Sequence, residues 1–451
     1  MPRVSAGRMV ASPRTIARSR TRASLLLYSL LTFHCSHSFM RALDILYIPL
    51  ALLTAPAWAF KKRAGWRERF GGIAALHAPP DGKKRVLIHA VSVGEVSALR
   101  SLVPLLTPHT DVVVSVTTDT GLARARELFG GSCSVVRYPL DFSWAVEKFL
   151  RAVRPDAVAL VELEVWPNFL DACALRRTPV CIINGRLSER SFAGYRRIRW
   201  FLARRLNTLA FAGVQDESYA ARFRELGMNP EKVRVTGSMK WDAATIADDV
   251  PGADDLAREL GIDRSKPLIV AGSTAQDEEA LLHAACPPGV QLLCAPRKPE
   301  HWNDAARALP GCVRRSYRKM GRPTGLLGSS RFLLDTIGEL RKAYALADLV
   351  VVGRSFGSLY GSDPIEPVAL GKAVVIGPRM GDFQVVVEAL KKTRGIAQGG
   401  RGEVAGLIRA LLKDAPARLA MADRGRACIV EQQGASGRHA GLVLGLVSSS
   451  E

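Results

Sequence analysis

Ser92-Val93-Gly94-Glu95 follows an apolar run at 86–91 and opens a helical pattern. Ser and Glu three residues apart form a capping box, each satisfying the other's backbone amide. The alternative is that Gly94 clears room for a substrate and Glu95 stands at a strand end as a general base. Val161-Glu162-Leu163-Glu164-Val165-Trp166-Pro167-Asn168 ends another apolar run, and Pro167 turns the chain out of it. Alternation along a strand predicts Glu162 and Glu164 on one face, where like charges must be matched by bases or raise a pKa. Lys240, in Gly237-Ser238-Met239-Lys240, follows the last strand pattern of the first half. It is either a solvated charge or a group that offsets negative charge developing in a transition state.

Other residues suit phosphate. Residues 186–205 hold seven Arg against one Glu, with Tyr195 and Trp200 interleaved. A solvated helix face explains this, but Arg186, Arg190, Arg196 and Arg197 also fit a phosphate or headgroup surface, because guanidinium grips phosphate bidentately. Ala295-Pro296-Arg297-Lys298 follows a strand pattern and suits a phosphate-contacting turn. Asp335-Thr336-Ile337-Gly338-Glu339-Leu340 joins a strand to a helix, where backbone amides could meet phosphate oxygens. Gly361-Ser362-Asp363-Pro364-Ile365-Glu366-Pro367 precedes another helix, and a Glu there can accept both ribose hydroxyls. Three strand-end loops in one domain predict a nucleotide site. The eight Cys are scattered without a CxxC pair or a Cys/His cluster, so buried free thiols in a reducing compartment are expected, and no metal site.

The elements that must position these residues alternate in type. β-branched runs at 86–91, 112–116, 157–163, 180–183, 210–214 and 233–235 form one series, and 268–271, 291–295, 332–334, 349–352 and 373–376 a second. Helical patterns separate them, which is the signature of parallel α/β units. Residues 241–261 carry six acids against one Arg, with Pro251 and Gly252, and are expected to be a linker. The expected architecture is two doubly wound Rossmann-like domains facing a cleft, at 63–240 and 262–445, with ligands at the strand carboxyl ends. The chain has no internal repeat, Walker loop or GxGxxG, which removes the main support for a P-loop kinase or a dinucleotide-dependent dehydrogenase.

The length of 451 residues suits two domains, and 48% hydrophobic residues exclude a disordered chain. The net charge of +21 is uneven: residues 1–240 hold 36 Lys and Arg against 18 acids, and the rest 27 against 24. Six Arg and no acid fall in residues 1–40. An anionic partner is expected for the first domain. Residues 25–33 resemble a signal-peptide core without a clean cleavage site. Residues 45–60 are apolar and uncharged, and a basic cluster, Lys61-Lys62-Arg63, comes next. A buried core helix and a membrane anchor at 40–62 both fit; the second places the rest of the first domain on the cytoplasmic side.

Together with Asn184-Gly185-Arg186-Leu187-Ser188 and Asp348, the quoted segments resemble, in this order, the 3-deoxy-D-manno-octulosonic acid (Kdo) transferases. The resemblance runs from about Met40 to about Gly434 and makes residues 1–39 an extension or leader. It implies a GT-B glycosyltransferase fold and an enzyme at the cytoplasmic face of the inner membrane. It further implies transfer of Kdo from CMP-Kdo to a phosphorylated, acylated lipid A precursor (lipid IVA), with inversion, in lipopolysaccharide synthesis. On it, Glu95 matches the general base, and Glu162 and Lys240 the transition-state stabilisers. Pro296, Arg297, Ile337, Gly338, Glu339, Asp363, Pro364, Ile365 and Glu366 match CMP contacts. The family usually carries Asn where this chain has Asp363, which removes a donor and adds a negative charge beside the nucleotide. No metal, cofactor or nucleic acid is implied. The rivals are another GT-B enzyme acting on UDP-sugars, whether transferase or epimerase, and a non-catalytic basic protein holding membrane or nucleic acid.

Overall fold

The computed structural model describes residues 44, 45, 47, 64–322, 325 and 328–448. Two compact units divide the chain, one of residues 1–237 with Ser436–Glu451 and one of Ser238–Ala435. Each is built on a seven-stranded, wholly parallel sheet.

In the first unit the strands are β1 (Arg85–Ala90), β2 (Asp111–Val116), β3 (Ser134–Arg137), β4 (Ala157–Val161), β5 (Val180–Gly185), β6 (Ala212–Val214) and β7 (Val233–Val235), ordered β3-β2-β1-β4-β5-β6-β7. Parallel strands joined by helices are covered on both faces, so their residues are apolar throughout rather than alternating. Leu87, Val113, Leu160 and Ile182 pack with Phe149, Phe169 and Phe223, while Val86, Ile88, Val112 and Val114, facing the other way, are also sealed from solvent. Each such side chain contributes about 1.5–3 kcal/mol by leaving water.

The second unit has β8 (Leu268–Thr274), β9 (Gln291–Pro296), β10 (Val313–Arg314), β11 (Arg331–Leu333), β12 (Leu349–Val352), β13 (Ala373–Ile376) and β14 (Ala397–Gln398), ordered β10-β11-β9-β8-β12-β13-β14. One face packs Tyr344, Ile365 and Ile429 on Val270 and Val350. The other packs Leu282, Ala305 and Ile408 on Ile269 and Val351.

Every expected strand run lies on a strand. The runs missed, β3, β10 and β14, are sheet-edge strands: short, half-polar and paired on one side. Three boundaries differ from expectation. Residues 241–261 are no linker, because Trp241 and the helix Ala253–Leu260 bury Leu256, Ala257 and Leu260 in the second core. Lys240 consequently belongs to the second unit, beyond the left-handed turn at Gly237 (φ +86°). The closing helix, Ala435–Ser448, returns to the first unit, where the Asn184 amide donates to His439 Nε2 at 3.1 Å and Thr236 meets the same nitrogen at 3.1 Å.

The expected anchor at 40–62 lies almost wholly outside the described residues. Of its described members, Asp44 accepts from the Ser143 amide and from Asn168 Nδ2, both at 3.0 Å, and the Tyr47 hydroxyl donates to Asp141 at 3.5 Å. No described helix is long and apolar enough to cross a membrane. The seven described cysteines are free, and all but Cys133 are buried; Cys35 falls outside the described residues.

Candidate active site

In the first unit, β1 pairs with β4, and β4 with β5, so their carboxyl ends are neighbours. Ser92 caps the helix Val93–Ala98, and the capping box is complete. The Glu95 carboxylate accepts from the amides of Val91 at 2.8 Å and Ser92 at 3.2 Å, and from the Ser92 hydroxyl at 2.7 Å. Capping therefore fixes the carboxylate in place, and the same contacts would hold a base in position. A Cβ at Gly94 would approach nothing closer than the Ser92 hydroxyl at 3.8 Å, so the fold itself does not require glycine there. Val93 is exposed, whereas Val96 is buried in the core.

The expectation that Glu162 and Glu164 share a strand face is overturned. β4 stops at Val161, and Glu162 takes a left-handed φ of +61°, which breaks the alternation. The charge conflict is nevertheless present. Burial first, then Glu95 and Glu162, pushes the Glu164 carboxyl up to about 8, against the Trp166 indole N–H, which donates to it at 3.1 Å. Glu164 is thus a member of this group that role assignment by sequence left out, although its position beside Glu162 signalled it.

Arg186 comes directly after β5. Arg190, Arg196 and Arg197 stand exposed on the helix Glu189–Arg197, which buries no residue, and Arg196 reaches Glu225 at 3.7 Å. Trp200, just beyond it, is exposed. Much of the unit's remaining basic charge is spent internally: Arg69 and Arg137 share Asp119, and buried Arg85 pairs with Asp111 at 2.6 Å.

In the second unit the expected nucleotide residues gather at strand carboxyl ends, after β9, β11 and β12. Pro296 closes β9, and the Arg297 amide donates to Thr274 at 3.0 Å. Ile337 is 82% exposed, and Gly338 is left-handed at φ +87°. Glu339, by contrast, is buried and occupied. Burial alone would raise its carboxyl, but hydrogen bonds from Arg315 (3.0 Å), Thr336 (2.5 Å) and Lys319 (3.2 Å) outweigh it and hold it at about 2. The Asp363 carboxylate, just ahead of the helix Ile365–Ala369, accepts from the Ile365 amide at 2.9 Å. Its side chain is open to solvent, yet the surrounding protein and Glu366 push its carboxyl up to about 6, against the Ile365 amide and Lys240. At neutral pH the group is therefore still mostly ionised, and the negative charge this position adds remains. Burial raises the Tyr344 hydroxyl, Glu366 and then Asp363 add to that shift, and Arg297 opposes it. Glu366 lies 3.7 Å from Arg341. The Lys240 ammonium lies 5.8 Å from the Phe383 ring centre.

Two motif residues are structural. Asn184, left-handed at φ +52°, docks the closing helix through His439. Asp348 accepts from the Leu268 amide at 2.9 Å and so ties the entrance of β8 to β12. No described group of three His, Cys, Asp or Glu is arranged to hold a metal ion.

Comparison with known proteins accounts for this arrangement. Residues 64–243 match the family 3-deoxy-D-manno-octulosonic-acid transferase (kdotransferase). A 3-deoxy-D-manno-octulosonic acid transferase of Haemophilus influenzae is 30% identical over 405 residues, covering 86% of this chain and 92% of that protein. One from Bordetella pertussis is 32% identical over 353 residues, covering 72% and 80%. Among solved structures, Anabaena HepE in complex with UDP matches with a TM-score of 0.55 at 15% identity, covering 81% of this chain and 100% of that one. Two seven-stranded parallel sheets with helices on both faces are a GT-B fold, and the extent of likeness to the sequence relatives places the chain in the Kdo transferase family.

Proposed function

We propose that the protein transfers Kdo from CMP-Kdo to a phosphorylated, acylated lipid A precursor, lipid IVA, with inversion at the anomeric carbon. The observation that carries this reading is Glu95, a carboxylate fixed at the end of β1 by three donors and flanked by a second, proton-bearing carboxyl at Glu164. A carboxylate accepts about four hydrogen bonds, so one site is left for a substrate hydroxyl.

In the proposed reaction Glu95 takes the proton of an acceptor hydroxyl as its oxygen attacks the anomeric carbon of Kdo. The bond from that carbon to the CMP phosphate oxygen breaks, and CMP departs with the bonding pair. An oxocarbenium-like transition state is balanced by the sugar's own carboxylate, while Arg297 and Lys240 offset charge growing on the phosphate. The loops after β9, β11 and β12 would hold the nucleotide, with Glu366 on the ribose. The exposed arginines at 190, 196 and 197 would meet lipid phosphates, and the enzyme would work at the cytoplasmic face of the inner membrane.

Mass spectrometry of the product from CMP-Kdo and a tetraacylated lipid A precursor tests the reaction, with UDP-sugars as the competing donors. Glu95→Ala should abolish transfer while CMP still binds, because Glu95 and the nucleotide loops belong to different units. Near-normal turnover by that variant refutes the assignment.

A further inference from the structure

A cavity of about 720 Å³ in the second unit is lined by Arg297, Lys298, His301, Arg354 and Arg401. Its acids are Asp277 and Glu278, and Glu278 is fully engaged: it accepts from the amides of Ala275 at 2.9 Å, Arg354 at 2.6 Å and Phe356 at 3.0 Å. These bonds clamp Arg354 at φ +58°. A non-glycine residue held there costs about 1–2 kcal/mol, a cost glycine avoids. The guanidinium groups of Arg297, Arg354 and Arg401 make no ion pair or hydrogen bond with any described residue. A strained backbone thus presents an unpaired cation to a cavity already rich in cations, an arrangement that an anionic ligand would repay.

Arg297 is common to this cavity and to the nucleotide loops. The other nucleotide candidates, Glu339 and Glu366, adjoin helices that pack on the sheet face of Tyr344 and Ile365. The cavity's wall from Asp277 and Glu278 opens the helix that packs Leu282 on the opposite face. A phosphate at Arg297 is the junction of nucleoside and sugar, so the group extending past it into the cavity is the sugar. Resting on the reading of CMP-Kdo as donor, we propose that Arg354, with Arg401, binds the carboxylate of the donor's acidic sugar.

Arg354→Gly removes the guanidinium and relieves the backbone, which separates binding from folding. In the full-length protein we expect an unchanged or higher melting temperature, a CMP dissociation constant within about twofold of wild type by calorimetry, and a KM for CMP-Kdo raised roughly 10- to 100-fold, the worth of a charge-assisted bidentate pair. Arg401→Ala, on an exposed loop, should raise the same KM without moving CMP affinity. An unchanged KM in both variants overturns the proposal. So does a parallel loss of CMP affinity, which would assign the guanidinium to phosphate. Wild-type protein that binds CMP yet does not turn over CMP-Kdo refutes the donor reading, and the carboxylate assignment with it.

Discussion

Replacing Glu164 by Gln tests the electrostatics of the site directly. The amide keeps the carboxyl's size and still accepts from the Trp166 indole, but it cannot ionise. In the folded protein burial and then Glu95 raise the Glu164 carboxyl from 4.5 to about 8. A raised carboxyl stabilises the fold fully below its unfolded value of 4.5, and that contribution is lost as the pH climbs toward 8, because the unfolded chain releases the proton first. At about 1.4 kcal/mol per pH unit the ceiling is roughly 4–5 kcal/mol, and solvent reaching the half-buried group lowers it to about 2 kcal/mol. Glu164→Gln should therefore match wild type near pH 5 and exceed it at pH 8 by roughly 4–8 °C in the melting temperature of the first unit. Asp141, which burial pushes up to about 7, is present in both proteins and cancels in the difference. A stability gap that stays constant from pH 5 to pH 8 refutes the reasoning. Activity gives a second measurement: a proton leaves wild-type Glu164 near pH 8 beside Glu95, and the pH–rate profile of the variant should lack that step.

Gly94→Ala should leave melting unchanged or slightly raised, since a methyl there meets nothing closer than 3.8 Å and alanine favours a helix by up to about 1 kcal/mol. Its transfer rate should fall at least tenfold if the acceptor occupies that space; wild-type rates place the acceptor elsewhere. Glu339→Gln should destabilise the second unit by about 1–2 kcal/mol at pH 7, because it breaks a buried pair with Arg315. A depressed carboxyl stabilises above its unfolded value of 4.5 and loses that contribution as the pH falls toward 2, so the difference from wild type should shrink in acid. CMP affinity should change little, since that carboxylate is already taken; a large loss in a CMP titration would show that the nucleotide competes for it.

Much of the candidate site was legible because its residues stand at or near strand ends. The runs that become β1, β4, β9 and β12 are continuous and β-branched, and the residues just past each run are forced onto the rim where parallel sheets present their loops. Glu95, Glu162 and Arg297 were singled out as candidates in this way, and Glu366 from the helix start in the loop after β12. Arg354 was not singled out, although it stands closer to the end of β12 than Glu366 does. Nothing in Val352-Gly353-Arg354-Ser355 announces a left-handed arginine, since the cause lies at Glu278, more than seventy residues away. Residues 241–261 misled for a related reason: acids and a Pro-Gly pair suggested exposed chain, but Asp254, Asp255 and Glu259 form the polar side of a helix that begins just after that pair and whose other side is buried.

The order of apolar runs and the residues behind them determined, from the sequence by itself, two parallel α/β domains and a basic first half, since period and charge are local properties of the chain. Which arginines remain available for a partner was decided only by folding, because Arg69, Arg85, Arg137 and Arg205 are the same residue type as Arg190 and Arg197 and differ only in having a carboxylate within reach. The same holds for the acids. Glu95, Glu164 and Glu339 cannot be told apart by spacing, yet amide donors surround the first, a desolvated pocket protonates the second and an arginine captures the third. A carboxyl group's chemistry is set by the dipoles and charges within a few ångströms of it, and those come from segments that only the tertiary structure brings together.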